Sequence, residues 1–235
     1  GYCSVGRPGG EAGPDKPGIN RLGVKASYET RGPHAPVRIL TEPEPRDLER
    51  LIEDVTALKQ KVDIVIVALH CGVIRLPRIV PDYHVIAAHA CIDAGADLIV
   101  SHSPHMPKGI EVYRGKAIFY SLGVFSMTKP FPSPLWSAPA WQHGSIRNQH
   151  DLDPAYPFMP YGKHCTRSLL AKAVVSASGV ERVSFLPMTF DAQYRSVLPG
   201  PSDPRFTELT DYMSWASEGF DHTFTVDGAE VVITA

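Results

Sequence analysis

Three histidines stand at the ends of two apolar runs, where an α/β domain usually places the groups of a site. His70 follows the run at residues 62 to 69, and His102 and His105 follow the run at residues 98 to 100. Polar side chains at the carboxyl ends of neighbouring buried strands converge on one crevice. Neutral imidazoles gathered there are suitable ligands for Zn, Mn or Fe ions. The pattern therefore predicts a metal site built from these three residues.

Two residues beside these histidines favour a shaped site. Gly72 lets the backbone pass close to a ligand or a metal, and Pro104 stiffens the turn that holds His102 and His105. The alternative interpretation is that each histidine only caps its strand with a hydrogen bond. The two interpretations differ in whether the three rings meet at one place.

Other polar residues were candidates for a role near this site, and most are interpreted as structural. His84 and His89 lie five residues apart on one predicted helix, a spacing that does not put both on one face. Glu111 is a candidate for supporting the metal ligands, and Arg75 and Arg78 are candidates for meeting an anionic substrate. The remaining candidates are two residues at a strand end and three histidines in or near a Pro-rich stretch: Tyr120, Ser121, His143, His150 and His164.

Alternating helices and strands must position the three histidines. Residues 45 to 61 predict a helix, with acidic residues at its start, lysines at its end and an apolar stripe. The run at 62 to 69 then predicts a strand buried on both faces. Residues 82 to 94 predict a second helix, ended by Gly95, and residues 98 to 100 the next strand. The predicted apolar side of the helix at residues 82 to 94 consists of Val85, Ile86, His89 and Ile92. This order indicates a parallel strand pair joined by a crossover.

The rest of the chain predicts shorter elements around this unit. Residues 127 to 165 hold seven prolines and two Trp and are interpreted as a lid or a partner-binding loop. The predicted organisation is a core at 1–126, this insertion at 127–165, and closing elements of the same domain at 166–235. The shorter predictions are the end of a strand at 1–5, short strands at 22–26 and 37–40, hairpins at 110–121, 168–190 and 224–234, and a helix at 203–218.

Composition narrows the class of protein. The chain has 235 residues, a formal net charge of -2 and 20% charged residues, so nothing suggests nucleic acid as a partner. No window of about 18 apolar residues predicts a membrane span, and the Gly/Pro-rich start has no signal-peptide pattern. The four cysteines lack Cys-x-x-Cys spacing and are interpreted mainly as free thiols, with a disulfide as the alternative.

Five motifs in order give the chain a family resemblance. They occupy residues 70–72, 92–97, 101–105, 109–116 and 119–125. Their order and spacing resemble the CapA family, the poly-γ-glutamate capsule synthesis family, which is similar to the calcineurin-like metallophosphoesterases. The tail, with two β pairs around a helix, is also similar, and the resemblance is weakest at residues 127 to 165.

The resemblance implies a fold and a site. The fold is α/β, a four-layer αββα metallophosphoesterase-like sandwich, of which this chain would carry the C-terminal part. The implied metal-site positions are His70, His102 and His105, holding one or two divalent ions of Mn, Fe or Zn type, with His70 and His102 as catalytic residues. The family's first half brings carboxylate and amide ligands, and it is expected to be missing from this chain, which starts where a central strand ends.

The matched part also departs from the family pattern. Ser101 stands where the family usually has Gly, and Ser103 stands where it usually has Gly or His. Val124 stands where the family usually has Asn. An acidic residue usual after the first histidine is absent as well. The loss of an amide and a carboxylate removes groups that would orient a substrate. These departures favour retention of a metal over ordinary phosphoesterase turnover.

The resemblance implies a role in polymer metabolism. The first hypothesis is a metal-dependent, phosphoesterase-type hydrolase acting in poly-γ-glutamate capsule or related polymer metabolism, at the cell envelope or in the cytoplasm. The alternatives are a non-catalytic assembly factor, which would bind an anionic polymer or a membrane-bound synthase, and a scaffold whose metal site has decayed. A half-sheet with a bare edge should also pair with the missing half or with a second copy of the chain.

Overall fold

The computed structural model describes residues 1–6, 9–74, 76–126, 155–156 and 163–235. In chain order the elements are β1 (Tyr2–Cys3), β2 (Asn20–Arg21), β3 (Val24–Glu29), β4 (Arg38–Pro43), α1 (Pro45–Lys59), β5 (Ile66–His70), α2 (Asp82–Asp93), β6 (Leu98–His102), β7 (Ile110–Tyr113), β8 (Lys116–Phe119), a 3-10 turn (Lys163–Thr166), β9 (Ser168–Ser176), β10 (Gly179–Phe190), β11 (Ser196–Val197), α3 (Pro204–Ser217), β12 (Thr223–Asp227) and β13 (Glu230–Thr234).

A six-stranded sheet carries the candidate site. Its spatial order is β2-β1-β5-β6-β8-β7, and every neighbouring pair is parallel except the β7–β8 hairpin. The parallel pairing of β5 with β6 and the β7–β8 hairpin confirm the predictions from sequence. The strand end at the chain start is also confirmed as β1. Strand β1 pairs with β2 on its outer side, and the predicted pairing of the sheet with a missing half or a second copy stays a prediction.

Helices α1 and α2 cover one face of this sheet. Helix α1 begins at Pro45, buries Leu51 and Val55, and confirms the predicted helix. Helix α2 is also confirmed, but its predicted apolar side was only partly right, since Val85 and Ile92 pack in the core and Ile86 does not. Its buried face centres on Ala87 and Ala88, whereas Ile86 is 40% exposed. Small side chains lie on the face toward the sheet, because they let the helix backbone approach it closely.

The second sheet and α3 cover part of the opposite face. Strands β9 to β13 form a five-stranded antiparallel sheet. A shared apolar cluster joins Phe119 of β8 to Phe185 of β10 and Met213 of α3. Asp203 caps α3, since its side chain accepts a hydrogen bond from the Arg205 N–H. The hairpins and the helix predicted after residue 165 are confirmed.

The prediction that residues 62 to 69 are buried on both faces was wrong. In β5, burial alternates: Val67 and Leu69 face the helices, whereas Ile66 is 51% exposed on the other side. The apolar cluster under the second sheet takes residues from β6, β7 and β8 and none from β5. Within the described residues, the apolar cluster under the second sheet therefore covers only that half of the face and leaves the β1–β5 half uncovered.

The described residues form a mixed α/β structure with two large sheets and three α-helices. The four-layer sandwich, a missing first half and the boundaries at residues 126 and 165 stay predictions. Most of the Pro-rich insertion lies outside the described residues. A separate two-stranded sheet of β3 and β4 contacts α2, where the Tyr83 N–H donates to Thr41 Oγ1 at 3.2 Å. Among the described helices, none is long and apolar enough to cross a bilayer.

Candidate functional site

His70 and His102 are direct neighbours at the carboxyl ends of β5 and β6. The parallel register pairs Leu69 with Ser101 and His70 with His102. Residues paired in this way point to the same face of a sheet. Since Leu69 faces the helices, the two imidazoles lie on the opposite, partly open face, and both residues are exposed. Cys3 extends this row by one strand, because it pairs with His70 from the other side.

Burial and His70 together keep the His102 imidazole neutral. Although part of the His102 ring is exposed, its partial burial lowers the pKa of His102, and electrostatic repulsion from the neighbouring His70 lowers it further. An imidazole with a lowered pKa is uncharged at neutral pH and offers a nitrogen lone pair. That lone pair can bind a cation or accept a proton, so the pair is chemically competent as part of a metal or acid–base site.

The two turns that carry these histidines are locked together. The Cys71 N–H donates to the His102 carbonyl at 3.0 Å. Gly72 has a φ of 110°, and a β-carbon there would lie 2.9 Å from Cγ of Pro104. Only glycine combines this backbone conformation with so close an approach. The close approach predicted for Gly72 is thus made to a neighbouring turn of the protein itself.

Residues at the start of α2 support both turns from below. The Tyr83 hydroxyl accepts the Gly72 N–H at 2.7 Å and lies 3.1 Å from Ser4 Oγ. His84 Nε2 lies 3.0 Å from Ser101 Oγ. Burial lowers the pKa of His84 to about 3, with Lys108 contributing, so this imidazole is neutral. Sequence reasoning missed Tyr83 altogether. It did interpret His84 as structural, which agrees with this burial.

The three-histidine metal centre stays a prediction. His105 ends the turn after Pro104, half-buried and with a φ of 59°. In the part of the chain that the structure describes, no three His, Cys, Asp or Glu side chains are grouped so that they would hold a metal ion. His70 and His102 fit two ligand positions of a Zn, Mn or Fe ion. Any further ligand would have to come from elsewhere, so this chain's described residues fit such an ion only in part.

Several other candidates lie away from the histidine pair. Glu111 faces the helices, where its Oε2 accepts from the Tyr120 hydroxyl at 2.5 Å and lies 2.9 Å from His89 Nε2. Tyr120 and Ser121 are fully or almost fully buried, so neither is placed to contact a substrate. Arg78 pairs with Glu218 at 2.8 Å.

The remaining candidates come from the insertion and the loop after β5. His164 Nδ1 lies 2.6 Å from the Arg167 guanidinium, close to α3. Arg75, His143 and His150 lie outside the described residues. None of these observations adds a further group to the histidine pair.

Lys108 is a buried charge that the sequence did not indicate. Its side chain is 1% exposed, and its Nζ donates to the carbonyl of Leu76 in the loop after β5. Burial lowers the pKa of Lys108 to about 8. The ammonium fastens the loop that follows His70 to the turn that follows His105. Lysine is mostly exposed in proteins, so its position in a sequence gives no signal for such a role.

Comparisons with known proteins give the chain a family. The family model described as bacterial capsule synthesis protein PGA_cap matches residues 9–128. A probable polyglutamine synthesis accessory protein of Mycobacterium tuberculosis is 38% identical over 102 residues, which cover 43% of this chain and 27% of that protein. The PGA biosynthesis protein CapA of Bacillus subtilis is 44% identical over 81 residues, covering 34% and 21%.

A capsule biosynthesis protein CapA of Bacillus anthracis is 42% identical over 67 residues, which cover 28% of this chain and 16% of that protein. The aligned part thus spans about a quarter or less of each relative. The family model, by contrast, covers half of this chain, including α1, β5, α2 and β6 with both histidines. The chain therefore belongs to the bacterial capsule synthesis protein family PGA_cap.

Proposed function

We propose that this protein acts in the metabolism of an anionic capsule polymer, poly-γ-glutamate or a related chain, as a metal-dependent hydrolase of phosphoesterase type. The observation that carries the proposal is the register pairing of His70 with His102. It puts two exposed imidazoles side by side at the carboxyl ends of β5 and β6. A pair of neutral imidazoles at neighbouring strand ends suits Mn, Fe or Zn ions as ligands. One relative is named for PGA biosynthesis and another for polyglutamine synthesis, which supports a polymer of this general class as the substrate.

In this proposal the chain's own residues bind and orient the reacting groups. His70 and His102 would be two of the ligands, with His105 as the third predicted position. A bound divalent ion supplies Lewis-acid polarisation of the scissile phosphoryl or amide group. A lowered pKa leaves His102 neutral at pH 7, so its ring offers the nitrogen lone pair that a metal ligand needs. The interlocked turns at Gly72 and Pro104 hold the pair rigid, which favours catalysis by positioning.

The second candidate is an assembly factor that binds the polymer or a membrane-bound synthase at the cell envelope without turnover. Two observations favour it. One relative is named an accessory protein. In addition, the described ranges of the chain contain no complete three-ligand group. The two candidates share the polymer and differ in whether hydrolysis follows binding.

Metal content and hydrolysis decide between them. The purified protein would be incubated with Mn²⁺, Fe²⁺ or Zn²⁺, and its metal stoichiometry and its hydrolysis of bis-p-nitrophenyl phosphate measured. The hydrolase proposal expects stoichiometric metal and turnover, both lost in His70→Ala and His102→Ala. His34→Ala is the matched control, because His34 is exposed in the turn between β3 and β4.

Two other outcomes count against the hydrolase. Metal that stays stoichiometric in both variants would place the ion elsewhere and overturn the site. Metal without turnover, together with binding of poly-γ-glutamate that depends on His70 and His102, would support the assembly factor.

A further inference from the structure

His84 lies buried between the two turns that carry the histidine pair. It stands in the first turn of α2 and is 1% exposed. Its Nε2 lies 3.0 Å from the hydroxyl of Ser101, the residue directly before His102. Its Nδ1 lies 3.5 Å from the position that a β-carbon on Gly72 would take. One ring therefore lies beside the turn after β5 and pairs with the end of β6.

Aromatic neighbours fix the His84 ring in place. Its centroid lies 6.2 Å from that of Tyr83 in a stacked arrangement and 5.1 Å from that of Tyr120, edge to face. Such contacts leave the imidazole few rotamers, because protein interiors are close-packed. The direction of its hydrogen bond to Ser101 is fixed in consequence.

The hydrogen bond between His84 and Ser101 is buried, so the loss of either partner would destabilise the fold. Ser101 is fully buried; its carbonyl accepts the Leu122 N–H at 3.0 Å, and its hydroxyl pairs with His84 Nε2 at 3.0 Å. Buried hydroxyl and imidazole groups are nearly always hydrogen-bonded, and an unpaired one costs about 1–3 kcal/mol. The sheet end at Ser101 therefore has one favoured position, and the next residue is His102.

We propose that His84 is a positioning residue, which acts through Ser101 to set the direction of the His102 imidazole beside His70. The role in metal binding rests on the proposed function, but the placement of the His102 ring does not. The backbone of β6 stays held by its ladder and by the bond from the Cys71 N–H to the His102 carbonyl, but without the His84 bond Ser101 can shift and the His102 ring that follows it changes its orientation beside His70. A supporting group of this kind typically changes metal affinity by about 10–100-fold.

Three variants separate positioning from simple stability. His84→Phe keeps a flat ring against Tyr83 and Tyr120 and removes the hydrogen bond. His84→Gln restores a polar group that reaches Ser101. Ser101→Ala removes the same bond from the other side with a smaller change, which keeps the test valid if His84→Phe does not fold. His89→Phe is the matched control, since His89 lies on the same helix and bonds to Glu111, away from the pair.

Zn²⁺ affinity and the imidazole resonances of His102 are the two readouts. We expect His84→Phe and Ser101→Ala to weaken Zn²⁺ binding by about 10-fold or more, and His84→Gln to recover most of the loss. The same two variants should shift the His102 ring ¹H and ¹⁵N resonances, whereas His89→Phe should lower the Tm and leave both readouts unchanged.

The outcomes remain distinguishable. Unchanged His102 resonances in His84→Phe and Ser101→Ala would overturn the proposal. So would equal effects of His84→Phe and His89→Phe on Zn²⁺ binding. If the wild-type protein binds none of Zn²⁺, Mn²⁺ and Fe²⁺, the proposed hydrolase function fails. In that case the resonances alone decide whether His84 positions His102.

Discussion

Gly72 and Pro104 touch at the point where the two histidine-bearing turns cross, so closely that a β-carbon on Gly72 would lie 2.9 Å from the proline Cγ. The positive φ of Gly72, 110°, adds a second requirement for glycine. Each turn thus limits the movement of the other. The relative position of His70 and His102 depends on this contact as well as on the strand register.

Substitution of Gly72 should cost more stability than substitution of a glycine with only a backbone requirement. Gly72→Ala meets both strain and a clash with Pro104, and we expect a loss of about 3 kcal/mol. Gly115→Ala is the control, because Gly115 has a φ of 74° and no atom within 4 Å of an added β-carbon. Its expected loss is about 1 kcal/mol. Urea unfolding measures both, and equal losses would mean that the Pro104 contact has no energetic weight.

Removing His70 should raise the pKa of His102. His70→Ala deletes the neighbouring positive charge and leaves the burial that also lowers this pKa. In the wild type the unfolded chain binds protons more readily than folded His102, so stability falls as pH drops below about 6.5. That loss should be smaller in the variant. NMR titration of His102 is the measurement, with His34→Ala as control, and an unchanged midpoint would contradict the electrostatic coupling.

Lys108 should make stability rise with pH in the mildly alkaline range. Its pKa falls from an ordinary 10.5 to about 8, so between these values the unfolded chain holds more protons and loses them as pH increases. The cost of keeping this buried amine charged at pH 7 is on the order of 3 kcal/mol.

The matched variant is Lys108→Met, which should lack this rise because it cannot be protonated. The informative quantity is the difference between the pH profiles of wild type and Lys108→Met, because the cysteines affect both profiles equally. Burial raises the pKa of Cys71 to about 11 and of Cys91 to about 12, which acts in the opposite direction in both. Urea unfolding from pH 7 to 10 provides the test. Parallel pH profiles would show that the lysine is not titrating as described.

Asp97 should be the most costly carboxylate to replace near β6. Burial acts to raise its pKa, but hydrogen bonds from Lys59, from the Val65 N–H and from Lys116 lower it overall. Asp97→Asn should lose about 2 kcal/mol, because the buried bonds to two cations weaken. The loss should shrink as pH falls through the low pKa of the carboxyl.

An exposed carboxylate provides the control for Asp97. Asp93 pairs with Arg114 at 3.1 Å, and its side chain is 42% exposed. Asp93→Asn should therefore change stability by less than about 0.5 kcal/mol. Thermal unfolding of both variants at pH 7 makes the comparison, and a similar small loss in both would show that the Asp97 cluster contributes little.

The sequence predicted β5, β6 and their parallel pairing because long β-branched runs separated by a helix have few other solutions. It also predicted the meeting of His70 and His102, since both end such a run. It failed for the open side of β5, because Ile66 would be buried in most sheets of this kind. How far a second sheet extends is a tertiary property that a local pattern does not contain.

The supporting contacts were beyond prediction for a similar reason. His84 and Ser101 are separated along the chain, and their bond depends on how α2 is seated on the sheet. Small residues decide that seating, and the apolar pattern of α2 emphasised Ile86 instead. The sequence showed Ser101 only as a departure from the Gly that the resemblance led us to expect, and the structure gives its hydroxyl a partner in His84. Lys108 was missed because its burial is unusual for lysine.

Cys3 lies in one row with His70 and His102, which makes it a native site for labelling next to the histidine pair. Cys3 is half-buried, whereas the thiols of Cys71, Cys91 and Cys165 are fully buried. A maleimide dye applied at neutral pH should therefore attach first at Cys3, one strand from His70. The emission of the dye depends on its surroundings. A change in emission would therefore report the binding of an ion or a polymer beside His70, and no engineered cysteine is needed.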